Sequence, residues 1–279
     1  RRNFNCKKIN LMFENKKNFQ VVSKKNPRII LPNTLTIIGV CIGLSSIKFA
    51  MDQNYGFSII ALLIAGILDT LDGRIARLIK GTSKVGKELD SLTDVVSFGV
   101  APAFIMYFWI LNGLGKLGWL IVLVYVVCTA LRLARFNIMI EHESAIWKAN
   151  FFEGVPSPAG AGLVLLPLVL HKANIYNLDQ HNLLIVSLTF IITAFLMISK
   201  IPTYSFKRIA IPRSFTIFLL FGIGLYFGLV FVYTFEVLFF TGVLYLLTIP
   251  VSYLHYRKLN NMEHASKQIK ELDDTEDIL

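Results

Sequence analysis

Eight apolar blocks, several of them roughly 20 residues long, limit what this chain can fold into. They run over Ile30–Phe49, Gly56–Leu78, Leu89–Leu111, Leu117–Phe136, Pro158–Leu170, Leu183–Ile198, Phe215–Phe231 and Phe235–His255. As a helix, such a block crosses a hydrocarbon layer about 30 Å thick. The alternation over about ten residues that marks membrane β-barrel strands is not seen. Of the 279 residues, 54% are hydrophobic and only 16% charged, whereas soluble domains are about a quarter charged. The pattern predicts an all-α, polytopic transmembrane helical bundle. The fifth block is short and holds Pro158 and Pro167, so its limits are open. The last two are parted only at Val232–Thr234 and read as a helical hairpin. Cys6, Cys41 and Cys128 match no metal-ligand spacing and are expected as free thiols.

Charge orients the blocks. Of the 28 Lys and Arg residues, 25 fall before the first block, after the second, fourth and sixth, or in the C-terminal tail. The other side receives Lys48, Lys116 and Lys172. Basic residues accumulate on the cytoplasmic side, so both termini are expected there, which requires an even number of spans. The formal net charge of +10 follows from that topology, with attraction to anionic membrane lipids as a by-product. It is dispersed over loops rather than gathered in one domain, so no nucleic acid is expected as a partner. The N-terminal stretch lacks a short apolar core followed by small residues, so no cleavable leader is expected. The Arg at position 1 leaves the natural start open. The tail from Asn260 ends acidic and is expected to be a surface helix or disordered.

The chemistry lies between the second and third blocks. Asp69 and Asp72 are three residues apart and share a helix face; Asp90 and Asp94, four apart, share another. Acids at the end of a membrane helix are costly and point to function, though single ones also serve as caps or solvated loop charges. A short loop predicts the two helices to be antiparallel neighbours, with four carboxylates converging. Such a set repels itself unless a cation lies within it, and hard divalent ions with oxygen ligands suit it. A pair of such ions fits phosphoryl chemistry. Gly73 leaves the backbone open beside Asp72, Arg77 lies one turn on and can neutralise a phosphate, and Gly86 opens the approach to the next helix.

Residues Asp69 to Asp94 match every fixed position of D-x-x-D-G-x-x-A-R-x8-G-x-x-x-D-x-x-x-D, and the chain thereby resembles the CDP-alcohol phosphotransferase family. That resemblance implies a six-helix core, here over 30–213; the basic segment 1–29 before it, and the transmembrane hairpin 214–255 and polar tail 256–279 after it, are read from the residue pattern and would elaborate on that core. It implies transfer of a phosphatidyl or similar group from a CDP-linked donor to an alcohol, with release of CMP. It implies that Asp69, Asp72 and Asp90 ligate two Mg²⁺ or Mn²⁺ ions, with Asp94 completing the site and acting as general base. Asp72, Gly73, Ala76, Arg77 and Gly86 would surround the cytidine diphosphate. Asn33 would lie near the nucleotide or cap the first helix, and Lys84 would touch a phosphate or only the headgroup layer. A homodimer is expected by resemblance alone.

The acceptor is read from other segments: Leu31–Thr36, Ser97–Pro102, Ala130–Asn137, Gly154–Ala159 and Ser199–Ser205. Together they resemble the bacterial and archaeal branch that uses CDP-diacylglycerol and L-serine, over roughly 31–213. Arg132 and Arg135 are three residues apart at the end of the fourth block. An arginine fork matches a carboxylate, and Asn137 can hold an amine. The alternative is that both arginines only anchor the helix at the interface. Ser157, between two prolines, has a local turn role as its alternative. Other acceptors remain: glycerol 3-phosphate or an inositol phosphate, calling for a further basic cluster, or choline, favouring an aromatic cage. A cation transporter would instead need acids near the membrane midplane.

Overall fold

The structure is a computed structural model that describes residues 30–79, 84–139, 150–176, 178, 182–205 and 215–276, without the side chains of 84, 138, 139 and 264–276. The expectations for segment 1–29, for the Lys84 side chain and for Lys80, Lys148, Lys207, Arg208 and Arg213 lie outside the described residues. The helices are α1 Ile30–Met51, α2 Tyr55–Leu78, α3 Lys84–Asp94, α4 Ala101–Trp109, α5 Lys116–Met139, α6 Ser157–Lys172, α7 Leu183–Ile198, α8 Thr216–Val232 and α9 Thr234–Glu276. A π-helical turn, Val95–Val100, joins α3 to α4.

Each of the eight apolar blocks becomes helical. Among the described residues, four stretches are long and apolar enough to cross a membrane: Ile30–Met51, Val85–Trp109, Lys116–Asn137 and Thr234–Glu263. α2 matches them in length at 24 residues but carries Asp69, Asp72, Arg74 and Arg77. The chain is thus a helical, multi-pass membrane protein. Its lipid-facing surface is rich in large apolar side chains such as Leu184, Phe195, Ile217, Phe218 and Phe231. The tail does not part from the last block: α9 runs unbroken to Glu276.

Pro102 explains the π turn. Proline has no N–H, so the carbonyl four residues back, that of Phe98, loses its helical donor. The helix widens over Val95–Val100, and the Tyr125 hydroxyl of α5 donates to that carbonyl at 3.0 Å. Close packing follows: a Cβ on Gly99 would lie 3.2 Å from Thr129 Cγ2. Around this point sits the core, with Ala101, Ile105, Met106, Val122, Tyr125, Val164 and Phe190 fully enclosed. The rings of Tyr125 and Phe190 meet edge to face at 5.3 Å. Direct packing between α2 and α3 is slight; α1 packs lengthwise on α2 and also meets α3 and the π turn, so it is the element that holds them together.

The segments around Gly154 and Ser199, which the sequence marks as helix ends, form a short β-ribbon. β1, Phe151–Glu153, pairs antiparallel with β2, Pro202–Tyr204, setting Phe151 opposite Tyr204 and Glu153 opposite Pro202. Gly154 ends the ribbon at φ +74°, and its N–H donates to the Ile201 carbonyl at 2.9 Å. A Cβ there would lie 2.6 Å from the Met197 carbonyl oxygen and 2.9 Å from that of Ser199. Gly154→Ala therefore combines an unfavourable φ with overpacking against fixed backbone. It is expected to cost roughly 3 kcal/mol, read as a lowered midpoint of thermal unfolding in detergent. An unchanged midpoint would show that the ribbon yields without cost.

Candidate active site

Helix geometry puts the four aspartates at one level. Asp69 and Asp72 sit near the C-terminal end of α2, and Asp90 and Asp94 lie on α3, Asp94 being its last residue before the π turn. One carboxylate oxygen from each of Asp69, Asp72 and Asp90 lies within 4.8 Å of the other two. Asp94 meets the Asp69 carboxyl at hydrogen-bonding range and faces Arg132. Asp72 is 2% exposed, and its Oδ2 accepts from the Thr36 hydroxyl of α1. Asp69 Oδ1 and Asp72 Oδ1 are buried with no hydrogen-bond partner.

These observations test whether a cation suits the site. Buried carboxylate oxygens are normally hydrogen-bonded or ion-paired. Two carboxyl groups approach this closely only with a proton or a cation between them. Among the described residues, no Lys or Arg forms an ion pair with Asp69, Asp72 or Asp90. Clustered, unpartnered oxygens are the donors a hard divalent cation takes, and the residues fit one.

Beside the aspartates the backbone is open. A Cβ on Gly73 would meet nothing within 4 Å. Arg77 leans back along the same face, its Nε donating to the Gly73 carbonyl at 3.0 Å. An open hollow is lined by Arg74, Arg77 and Leu78. Ala76 and Gly86 are half-buried on α2 and α3, and Asn33 is half-buried on α1. α1 already runs through Asn33, so this residue is not a helix cap. It stands one turn before Thr36 on the same face.

The three residues expected around the acceptor separate. Arg132 is 9% exposed; its Nη1 donates to Ser157 Oγ at 2.8 Å and its guanidinium stands 5.8 Å from the Phe136 ring centre. Its Nε is buried without a partner. Arg135 turns elsewhere: Nη1 donates to the Ile198 carbonyl at 3.0 Å and Nη2 pairs with Glu153. It thereby ties α5 to the ribbon. Asn137 Nδ2 donates to Ser91 Oγ at 3.0 Å, linking α5 to α3. Residues three apart on a helix point about 60° apart, enough at the crowded end of α5 to give two arginines different neighbours. The expected fork is one arginine.

For two residues of the site the sequence does not show the partner. Thr36 has the look of an ordinary membrane-helix threonine, and its hydroxyl does lie 3.0 Å from the Pro32 carbonyl. Nothing in its sequence position signals that Asp72, 36 residues on, shares that hydroxyl. Ser157 is the N-terminal residue of α6, as its prolines suggest, but its hydroxyl is spent on Arg132.

The profile of the CDP-alcohol phosphatidyltransferase family matches residues 29–199. The chain is 40% identical over 186 residues to a CDP-diacylglycerol–serine O-phosphatidyltransferase of Mycobacterium leprae, covering 66% of this chain and 61% of that protein. An enzyme of the same name from Helicobacter pylori is 38% identical over 185 residues, covering 66% of this chain and 76% of its own length. One from Bacillus subtilis is 33% identical over 179 residues, covering 64% and 92%. The match thus spans about 61% of the length of the mycobacterial relative.

Proposed function

This chain belongs to the CDP-alcohol phosphatidyltransferase family, and from that premise we propose that it transfers the phosphatidyl group of CDP-diacylglycerol to the hydroxyl of L-serine, giving phosphatidylserine and CMP. The relatives bear the name of this reaction. The observation that carries the acceptor is Arg132: a buried guanidinium facing Asp94, with an edge still lacking a partner. A carboxylate is what such an edge takes, and serine brings one together with its hydroxyl.

Asp69, Asp72 and Asp90 would hold two Mg²⁺ or Mn²⁺ ions, with Asp94 completing the set. Bound there, the ions would supply positive charge for the donor pyrophosphate. Thr36 fixes the Asp72 carboxylate. Gly73 leaves room for the nucleotide, and Arg77 offers charge at its phosphates, with Ala76, Gly86 and Asn33 around them. Asp94 takes the proton of the serine hydroxyl, whose oxygen attacks the β-phosphorus. The bond from that phosphorus to the bridging oxygen breaks, and CMP leaves. Arg132 sets the hydroxyl toward Asp94 by gripping the carboxylate. Arg135 and Asn137 act on the acceptor only through the position of α5. The basic loops support a cytoplasmic position for this level of the bundle, where both substrates would be met.

Purified protein given CDP-diacylglycerol, Mn²⁺ or Mg²⁺ and labelled serine should form labelled lipid and CMP in equal amounts. Chelation by EDTA should abolish both products, and added divalent ion should restore them. Turnover with glycerol 3-phosphate but not with serine would sink the acceptor assignment. Full activity in EDTA would sink the cation assignment.

A further inference from the structure

The C-terminal helix lies outside residues 29–199, which the family profile matches, yet it reaches the acceptor side of the site. Its inward stripe is Gly242, Tyr245, Ile249, Ser252 and Tyr256, spaced by three and four residues as a helix face requires. Gly242 allows close contact with α6: a Cβ there would lie 2.5 Å from Leu166 Cδ1. Lower down, His255 Nδ1 is 2.9 Å from the Tyr204 hydroxyl, and the Phe151 ring meets His255 and Tyr256 edge-on at 5.9 and 5.3 Å. α9 is therefore fastened to the ribbon beside the end of α5.

Between these fastenings the Tyr245 hydroxyl is buried and makes no well-aligned hydrogen bond. It faces Arg132 and comes within reach of the Thr203 hydroxyl, whose own proton goes to the Gly154 carbonyl at 2.8 Å. Ser205 Oγ, just after β2, and Ser252 Oγ, on the same stripe of α9, are likewise buried and unpartnered, as is Arg132 Nε. Buried polar atoms are paired in nearly all folded proteins. Several bare ones in the sector where α9 meets β2 and Arg132 mark a place built for a polar guest. The guest must carry acceptors, because an arginine Nε–H and a phenol are both able to donate. A carboxylate offers two oxygens to two such donors.

We propose that Tyr245 is an acceptor-specificity residue, its hydroxyl joining Arg132 Nε on the carboxylate of the amino-acid acceptor, so that α9 completes the acceptor pocket. The proposal rests on the serine reading above. An alcohol without an anionic group leaves both donors bare, and the pocket rejects it for that reason.

The test is steady-state kinetics on the full chain in detergent with CDP-diacylglycerol. Tyr245→Phe should raise the KM for serine roughly tenfold, the loss of one hydrogen bond to a charged group. The KM for CDP-diacylglycerol and kcat should stay within about twofold, and the thermal unfolding midpoint should hold. Tyr226→Phe on α8, whose hydroxyl meets Thr241 rather than Arg132, should change neither constant. An unchanged serine KM would overturn the proposal. So would equal shifts in both KM values, or a lowered midpoint accompanying the rise, since those mark a structural role. A wild-type enzyme that takes another alcohol in place of serine would refute the acceptor reading separately, and Tyr245→Phe is then judged by the same split on that alcohol.

Discussion

The Asp94→Asn enzyme should lose about 10²- to 10⁴-fold in kcat while remaining folded. A positioned base is worth that factor, and Asn keeps the shape of the side chain while removing its basicity. Folding should survive because Asp94 stands among like charges: it meets Asp69 at hydrogen-bonding range, and the Asp69–Asp72–Asp90 cluster lies beside it. Replacing one acid of a crowded set by a neutral amide relieves repulsion with Asp69 and Asp90, which offsets the countercharge that the buried Arg132 loses. The expected signature is a large fall in CMP release at saturating serine, with the unfolding midpoint little changed. Donor affinity should change little, since Asp69, Asp72 and Asp90 remain. Full activity in the variant would end the assignment of Asp94 as base. A collapsed midpoint would show that Asp94 serves the fold through Arg132.

Arg132→Met should lower kcat/KM for serine by at least about 10²-fold, because a buried charged hydrogen bond and its orienting effect disappear together. It should also cost about 3 kcal/mol of stability, since the carboxylate that the guanidinium faces is left without a countercharge. Arg132→Lys separates the two effects. The ammonium keeps the charge but not the planar edge that serves Ser157 and a carboxylate at once. It should recover most of the stability and little of the serine affinity. Arg135→Met is the comparison: that side chain is committed to Glu153 and the Ile198 carbonyl. It should loosen the ribbon and lower the midpoint while leaving the serine KM nearly unchanged. If Arg135→Met rather than Arg132→Met raises the serine KM, the two roles are reversed.

Some of this was legible in the linear chain because it is local. The spacing of Asp69, Asp72, Asp90 and Asp94 is a matter of helix pitch, and the apolar blocks report their own length. What escaped depends on partners far along the sequence. Pro102 announces a lost N–H, but the π turn persists because Tyr125 supplies the missing donor. The ribbon pairs Phe151 with Tyr204 across more than 50 residues, and three-residue strands leave no alternation to read. Arg132 and Arg135 look equivalent until Ser157 claims one and Glu153 the other. Tyr245 looks like any aromatic residue of a membrane helix; only the sector it faces distinguishes it.

The last helix carries one more consequence. At 43 residues and 1.5 Å per residue it is about 65 Å long, roughly twice the thickness of the hydrocarbon layer. Its outer half is a lever standing clear of the bilayer. Pro250 deprives the Leu246 carbonyl of its helical donor, which sets the weakest joint of the rod next to Tyr245. A sideways load on the outer arm therefore turns about the level of Tyr245, and the leaflet would act as the fulcrum.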